Sequence, residues 1–175
     1  MVIRTPLCPF AEKVIKDDTV KYVVTRVRKR KEVAVLVLEE SLALTGVPET
    51  ETATTVLIAP CAFVEDFPSF YETERFLEDH LEESLLGEEV LVASFHPQYM
   101  FGGGVKEDDP IHYEKRSPYP VFNLLRAQRV WAYADEGLTE KISEKNAEAL
   151  EELGIEEVRR RFALDEIEVE GKGAV

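Results

Sequence analysis

The sequence predicts an α/β fold: a small, mainly parallel sheet of three to four strands covered by helices, with added C-terminal helices. Three observations predict it. Val20–Val27, Thr54–Ala59 and Glu89–Phe95 are short, rich in β-branched residues and nearly continuously apolar at their centres, as strands covered on both faces should be. The stretches between them are helical in composition. A strand–helix–strand crossover within one sheet is almost always right-handed, so a βαβαβ order implies parallel strands. The 175 residues make one domain at roughly 150 residues each, assigned here to 1–162, with 163–175 expected to be a flexible tail.

Taken in order, Pro9–Ile15 is expected to form a short helix before the first strand. Glu32–Leu44 admits two readings. VAVLVL suits a strand paired through the RKRK stretch, whereas Glu39, Glu40, Leu42 and Ala43, stopped by Gly46 and Pro48, suit a helix; the crossover order favours the helix. In Asp66–Leu85, Phe67, Phe70, Tyr71, Leu77, Leu81 and Leu85 fall at helical spacing and Asp66 is placed to cap the first turn. Phe122–Ala134 and Thr139–Leu153 read as helices, and Gly154–Phe162 as a further piece. Between strand three and these helices lies His96–Tyr119, 24 residues without obvious secondary structure. A connection of that length in a compact domain is usually functional or mobile.

Composition excludes several classes. The formal charge is −14, and the mean field of so acidic a chain repels phosphate polymers and anionic bilayers, so neither nucleic acid nor membrane is an expected partner. No apolar run is long enough to span a bilayer. Two cysteines are too few for a secreted disulfide framework, and MVIRTPLCPF lacks the apolar centre of a signal peptide, which makes a cytoplasmic location the default expectation. The charge is unevenly spread: residues 1–31 sum to +6, residues 32–95 to −14 and residues 96–175 to −6.

In parallel sheets ligands gather beyond the carboxyl ends of the strands. That rule selects RVRKRK with Arg28, Pro60-Cys61-Ala62, and the loop opening at His96. Within the loop and just after it, Arg116 and Arg126 offer planar forks suited to carboxylate or phosphate. Ser117, Tyr99 and Tyr119 offer hydrogen bonds, and His96 a group that titrates near neutrality. A small anionic ligand at the carboxyl edge of the sheet is the function these residues favour. Gly102-Gly103-Gly104 lacks both GxGxxG spacing and a P-loop lysine. His96, Asp108, Asp109 and His112 contain no compact HxH or HxxxH pair, so no metal is assigned, and no cofactor is implied.

A second function class rests on Cys8. A cysteine ahead of a helix has a lowered pKa, and Cys8-Pro9-Phe10-Ala11-Glu12 resembles the active-site stretch of omega-class glutathione transferases. It is more distantly similar to the CPxC of thioredoxin-like proteins, with Ala11 in place of the second cysteine and Val2–Thr5 as a preceding strand. Thiol-redox or glutathione-linked chemistry would follow. A third class is a non-catalytic interaction module in which the basic cluster at 26–31 docks an acidic partner.

LCPFAEKVI (7–15), TTVLIAP (54–60), EDFPSF (65–70), VASFHPQYMF (92–101), RSPYPVFNLLR (116–126) and ISEKNAEALEELG (142–154) together resemble domain-of-unknown-function family 1415. The family carries no established reaction, so the resemblance implies no mechanism. Members usually have histidine where this chain has Asn123, asparagine where it has Lys115, an acidic residue where it has Ala127, and a segment preceding LCPFA. An essential acid–base role for that histidine would imply altered or absent activity here.

Overall fold

The structure, a computed structural model, describes residues 7, 8 and 11–172, of which 164–172 are described as backbone only. Strand Val2–Thr5, proposed from the sequence, lies outside the described residues, as do Pro9 and Phe10 and the end of the expected tail, 173–175. The first helix, α1, is Ala11–Lys16. It leads through a turn into strand β1, Val20–Val24. Helix α2, Arg30–Thr45, settles the ambiguity of VAVLVL: Val33, Ala34, Val37, Ser41 and Leu44 are buried at three- and four-residue spacing. Strand β2 is Thr54–Ile58 and helix α3 is Phe67–Glu82. The Ser69 N–H donates to Asp66 Oδ1 (3.0 Å), the N-cap expected from sequence, and this bond holds the Asp66 carboxyl below its ordinary pKa.

Strand β3, Val90–Phe95, completes the βαβαβ order, but the sheet is not mainly parallel. Val121–Arg126, read from sequence as the start of a helix, is a strand, β4. It lies between β2 and β3, giving the order β1-β2-β4-β3. Only β1 and β2 pair in parallel; β4 pairs antiparallel with both its neighbours. The directions expected for β1, β2 and β3 are therefore correct, and the strand between the last two was missed. Its physical signature is a period of two: Phe122 and Leu124 are fully buried on one face, while Val121, Asn123 and Leu125 face the other way and are half-buried. Two flanking apolar pairs obscure that alternation and mimic helical spacing.

Helices α2 and α3 cover one face of the sheet. The core there joins Val33, Val37 and Leu44 to Leu57, Phe70, Leu77, Val90, Phe122 and Leu124. The Phe122 ring packs 5.0 Å from Phe70 and 6.3 Å from Phe63, centroid to centroid. Helix α4, Ala127–Asp135, follows β4 directly. Helix α5, Leu138–Lys172, is interrupted at Gly154 (φ 71°, ψ 158°), a conformation that a side chain disfavours; the break falls where the sequence separates Thr139–Leu153 from Gly154–Phe162. The backbone from 163 to 172 continues this helix.

A second, smaller core joins Leu7, Tyr113, Leu150 and Val158. Asn146 reinforces it by donating to the Leu7 carbonyl (2.8 Å) and to Glu114 Oε1 (2.7 Å). Helix α5 is thus fastened to the start of the chain and to the long loop. Phe122→Ala is expected to cost about 3–5 kcal/mol, read as a lower urea midpoint with unchanged slope, because the ring sits at the centre of the larger core.

Candidate functional site

The two sheet faces are covered unequally. Opposite the α2–α3 layer, the N-terminal stretch and α4 leave a cleft of about 420 Å³. Its floor is the second face of the sheet: Val20 and Tyr22 of β1, Thr54 and Val56 of β2, Asn123 and Leu125 of β4. One wall is Cys8, Ala11, Val14 and Ile15; the other is Val130 and Tyr133 of α4. Charge is confined to a few groups, Lys13, Asp17, Glu49, Arg126 and Arg129. Two ion pairs, Lys13–Asp17 and Arg129–Glu49, account for four of these, leaving Arg126 as the net positive charge. An apolar concavity of a few hundred Å³ with a few convergent polar groups is the usual form of a small-molecule site.

Two polar groups rise from the floor. The Thr54 hydroxyl lies 2.7 Å from Asn123 Oδ1 and 2.8 Å from the Leu124 carbonyl, either of which can accept its single proton. Asn123 is the position where the family resemblance leads one to expect histidine, so a titratable ring there would face the same cleft. Cys8 and Asn123, from motifs more than a hundred residues apart, meet at one cavity. Sequence reasoning singles out Cys8 and Arg126 and marks Asn123 as a departure from the family pattern, but gives Thr54, Arg129 and Tyr133 no site role, because the shared face depends on β4 being a strand.

The sequence-selected residues are not all brought together. Val121 pairs with Phe95 and Ile58, and Arg126 with Val90, so β4 carries Arg126 away from His96 by about 17 Å of strand. Arg126 donates through Nε and Nη2 to the carbonyls of Thr52 (3.3 and 2.8 Å), Leu44 (3.1 Å) and Val47 (2.7 Å). It closes the C-terminal end of α2, whose last turn carries no basic residue of its own. Arg116 stays near the other end of β4. Its Nε–H donates to the Tyr99 carbonyl (3.1 Å) and its guanidinium lies 4.4 Å from the Tyr113 ring centroid. The Ser117 hydroxyl donates to the Tyr119 carbonyl, and Tyr119 is half-buried beside it. Arg28 is exposed after β1.

His96 is fully buried against Phe67 and Phe70. The Gln98 N–H donates to its Nδ1 (3.0 Å) and its Nε2–H donates to the Phe63 carbonyl (2.7 Å). Both nitrogens serve the backbone, and the tautomer follows from the Gln98 contact. His112 repeats the arrangement: the Phe101 N–H donates to Nδ1 (3.0 Å), and Nε2–H donates to the Lys106 carbonyl (2.8 Å). The long connection is therefore ordered around two buried imidazoles, with a 3₁₀ turn at Pro110–Lys115. Among the described residues no group of three or more His, Cys, Asp or Glu side chains is placed to hold a metal ion.

A buried ionisable cluster lies beside this loop. Glu74 of α3 is 3% exposed and accepts from the Ser94 hydroxyl and from Lys115 Nζ (3.5 Å). Lys115 also sits 5.0 Å from the Tyr99 ring centroid. Burial opposes its charge, yet Glu74 and Tyr99 hold its pKa above the ordinary lysine value, while burial pushes Tyr99 upward. The cluster ties α3 and β3 to the loop.

The fold and the cleft define a four-stranded α/β domain with one sheet face covered by helices and a cleft on the other. The chain belongs to the DUF1415 family of proteins of unknown function, whose family model matches residues 1–160. No curated protein and no solved structure matches it. Among the described residues no helix is long and apolar enough to cross a membrane.

Burial pushes the His96 pKa below the ordinary histidine value, against the opposing effects of the Phe63 bond and Asp66. A base with a depressed folded-state pKa contributes stability that is full above the unfolded value of about 6.5 and is lost as pH falls toward the folded value. Urea midpoints are therefore expected to decline on acidification from pH 7.5 to 5.5. Imidazole proton shifts should show His96 titrating at a lower pH than an unperturbed histidine.

Proposed function

We propose that this protein binds a small, mainly apolar molecule bearing a carboxylate or phosphate, held in the cleft on the open face of the sheet. The observation that carries the reading is the 420 Å³ hollow itself, apolar over most of its lining and edged by Arg126, Arg129 and Lys13. The ligand class is the one the sequence favours. Its place moves from the carboxyl edge to the sheet face, because the hollow lies there and β4 carries Arg126 to the end of the sheet away from His96. Asn123 stands where a family histidine would face the ligand, so the cleft of this chain is built to hold a molecule without an imidazole to move its protons. Two cysteines without a disulfide, Cys8 and Cys61, support a reducing, cytoplasmic setting.

A thermal-shift panel tests the proposal, using aryl and alkyl carboxylates and phosphates beside neutral amides and alcohols of the same size. The anions should stabilise the wild type, by about 2.7 kcal/mol at a hundredfold excess over Kd, and the neutral analogues much less. Val56→Trp, which fills the floor, should remove the response. An unchanged response in that variant, or equal shifts from neutral analogues, contradicts the site. Asn123→His should make affinity for the carboxylates rise as pH falls through about 6.5, whereas wild-type affinity for them stays flat.

A second reading, thiol chemistry at Cys8, is favoured by one observation: Cys8 lines this same cleft. Cys8→Ser separates the two readings, since simple binding survives the substitution and thiol chemistry does not.

A further inference from the structure

Strand β1 is an edge of the sheet, and its outer side is unoccupied among the described residues. Val24 registers with Ile58, and the Thr25 N–H donates to the Ile58 carbonyl (2.9 Å). In a parallel ladder this makes the odd-numbered residues of β1 the ones bonded to β2, so the backbone N–H and C=O groups of Val20, Tyr22 and Val24 point outward. The exposure beside them is apolar: Tyr22 is 62% and Val24 65% exposed. Natural edge strands are normally blunted by charge, proline or a bulge within the strand. Here the one charged side chain of the strand, Lys21, is turned toward α2, where it pairs with Glu40.

Beyond Val24 the chain continues without regular structure to Lys29, whose backbone is extended. Val27 packs toward the core, and Arg26 and Arg28 are exposed. Neither arginine has a hydrogen-bond or ion-pair partner among the described residues, whereas their neighbours Lys29 and Arg30 pair with Glu32 and Glu72. The outward edge therefore reads, in chain order, as an apolar half followed by a basic half, on a protein of net charge −14.

We propose that this edge accepts an extended acidic peptide segment as a fifth strand. Backbone pairing would come from Val20, Tyr22 and Val24, side-chain contact from Tyr22 and Val24, and charge selection from Arg26 and Arg28. Antiparallel addition, the commoner pairing, places the acidic end of the partner first in its own sequence and the β-branched end after it. A second copy of this chain is disfavoured as occupant, because self-pairing would bring two segments of local charge +6 (residues 1–31) together. The proposal does not rest on the ligand reading of the cleft.

The test is fluorescence anisotropy with a labelled acetyl-EEVTVTV-amide probe at low salt, beside a counterpart in which lysine replaces both glutamates. Saturable binding of the acidic probe, weakening as salt rises, is expected, with little binding of the basic one. Tyr22→Pro deletes an outward N–H and no ladder bond, so the fold should survive, as circular dichroism would show, while binding is lost. Arg26→Glu with Arg28→Glu should weaken binding at least tenfold and leaves the strand untouched. No saturable binding up to millimolar probe, equal binding of the basic counterpart, or unchanged binding by both variants overturns the proposal. So does self-association of the protein that Tyr22→Pro abolishes.

Discussion

Strands β2 and β3 run in the same direction with a gap one strand wide between them, and β4 fills that gap in the opposite direction. Without it, each of the two would present a row of unpaired backbone groups to the interior, at a cost no side-chain packing could recover. The same six residues do three other jobs. Phe122 and Leu124 complete the core under α2 and α3, Asn123 and Leu125 form part of the cleft floor, and Arg126 closes the end of α2. Because successive side chains of a strand alternate between faces, a one-residue shift of register in β4 would exchange core for cleft. Core stability and the shape of the cleft are consequently tied to one register.

The elements flanking β4 extend this coupling. Before it, Arg116 and Ser117 fold the RSPYP stretch onto backbone carbonyls, and the His96 N–H donates to the Lys115 carbonyl (3.1 Å). The two buried imidazoles then hold the connection from β3 in a single path. After it, the Ala127 N–H donates to the Glu89 carbonyl (2.9 Å), and α4 leaves the sheet at the angle that makes it a wall of the cleft. The loop that looks functional from its density of polar residues is, in this arrangement, the device that delivers β4 to its slot.

Much of the architecture was legible in the sequence because it obeys simple local rules. β1, β2 and β3 are apolar runs with β-branched residues, α3 has a capping aspartate and a regular apolar stripe, and Gly154 marks a real break. β4 was illegible because Phe-Asn-Leu-Leu-Arg has no strong strand propensity, and its alternation is only seen once the neighbours on both sides are known. The proposed ligand class follows from the sequence, whereas the proposed cleft follows only from the topology. Arg116, Ser117 and His96 read from sequence as groups seeking a ligand, yet each donates to a nearby backbone carbonyl. Cys8 and Asn123 reach one cleft only through the topology that β4 creates. The uneven charge was legible, and the structure divides it further: basic groups at the β1 edge, paired charges at the cleft rim, and acidic side chains on the outer surfaces of α3 and α5.

The central claim is that the open sheet face, and not the carboxyl edge, receives the ligand. Amide and side-chain chemical-shift mapping with an aryl carboxylate such as 4-phenylbutyrate addresses it most directly. Saturable shifts should concentrate at Thr54, Val56, Leu125, Arg129 and the Asn123 side-chain amide, with Arg116–Tyr119 and Gln98 unmoved. Shifts centred on Arg116, Ser117 and Gln98, with the floor of the cleft silent, would contradict the account.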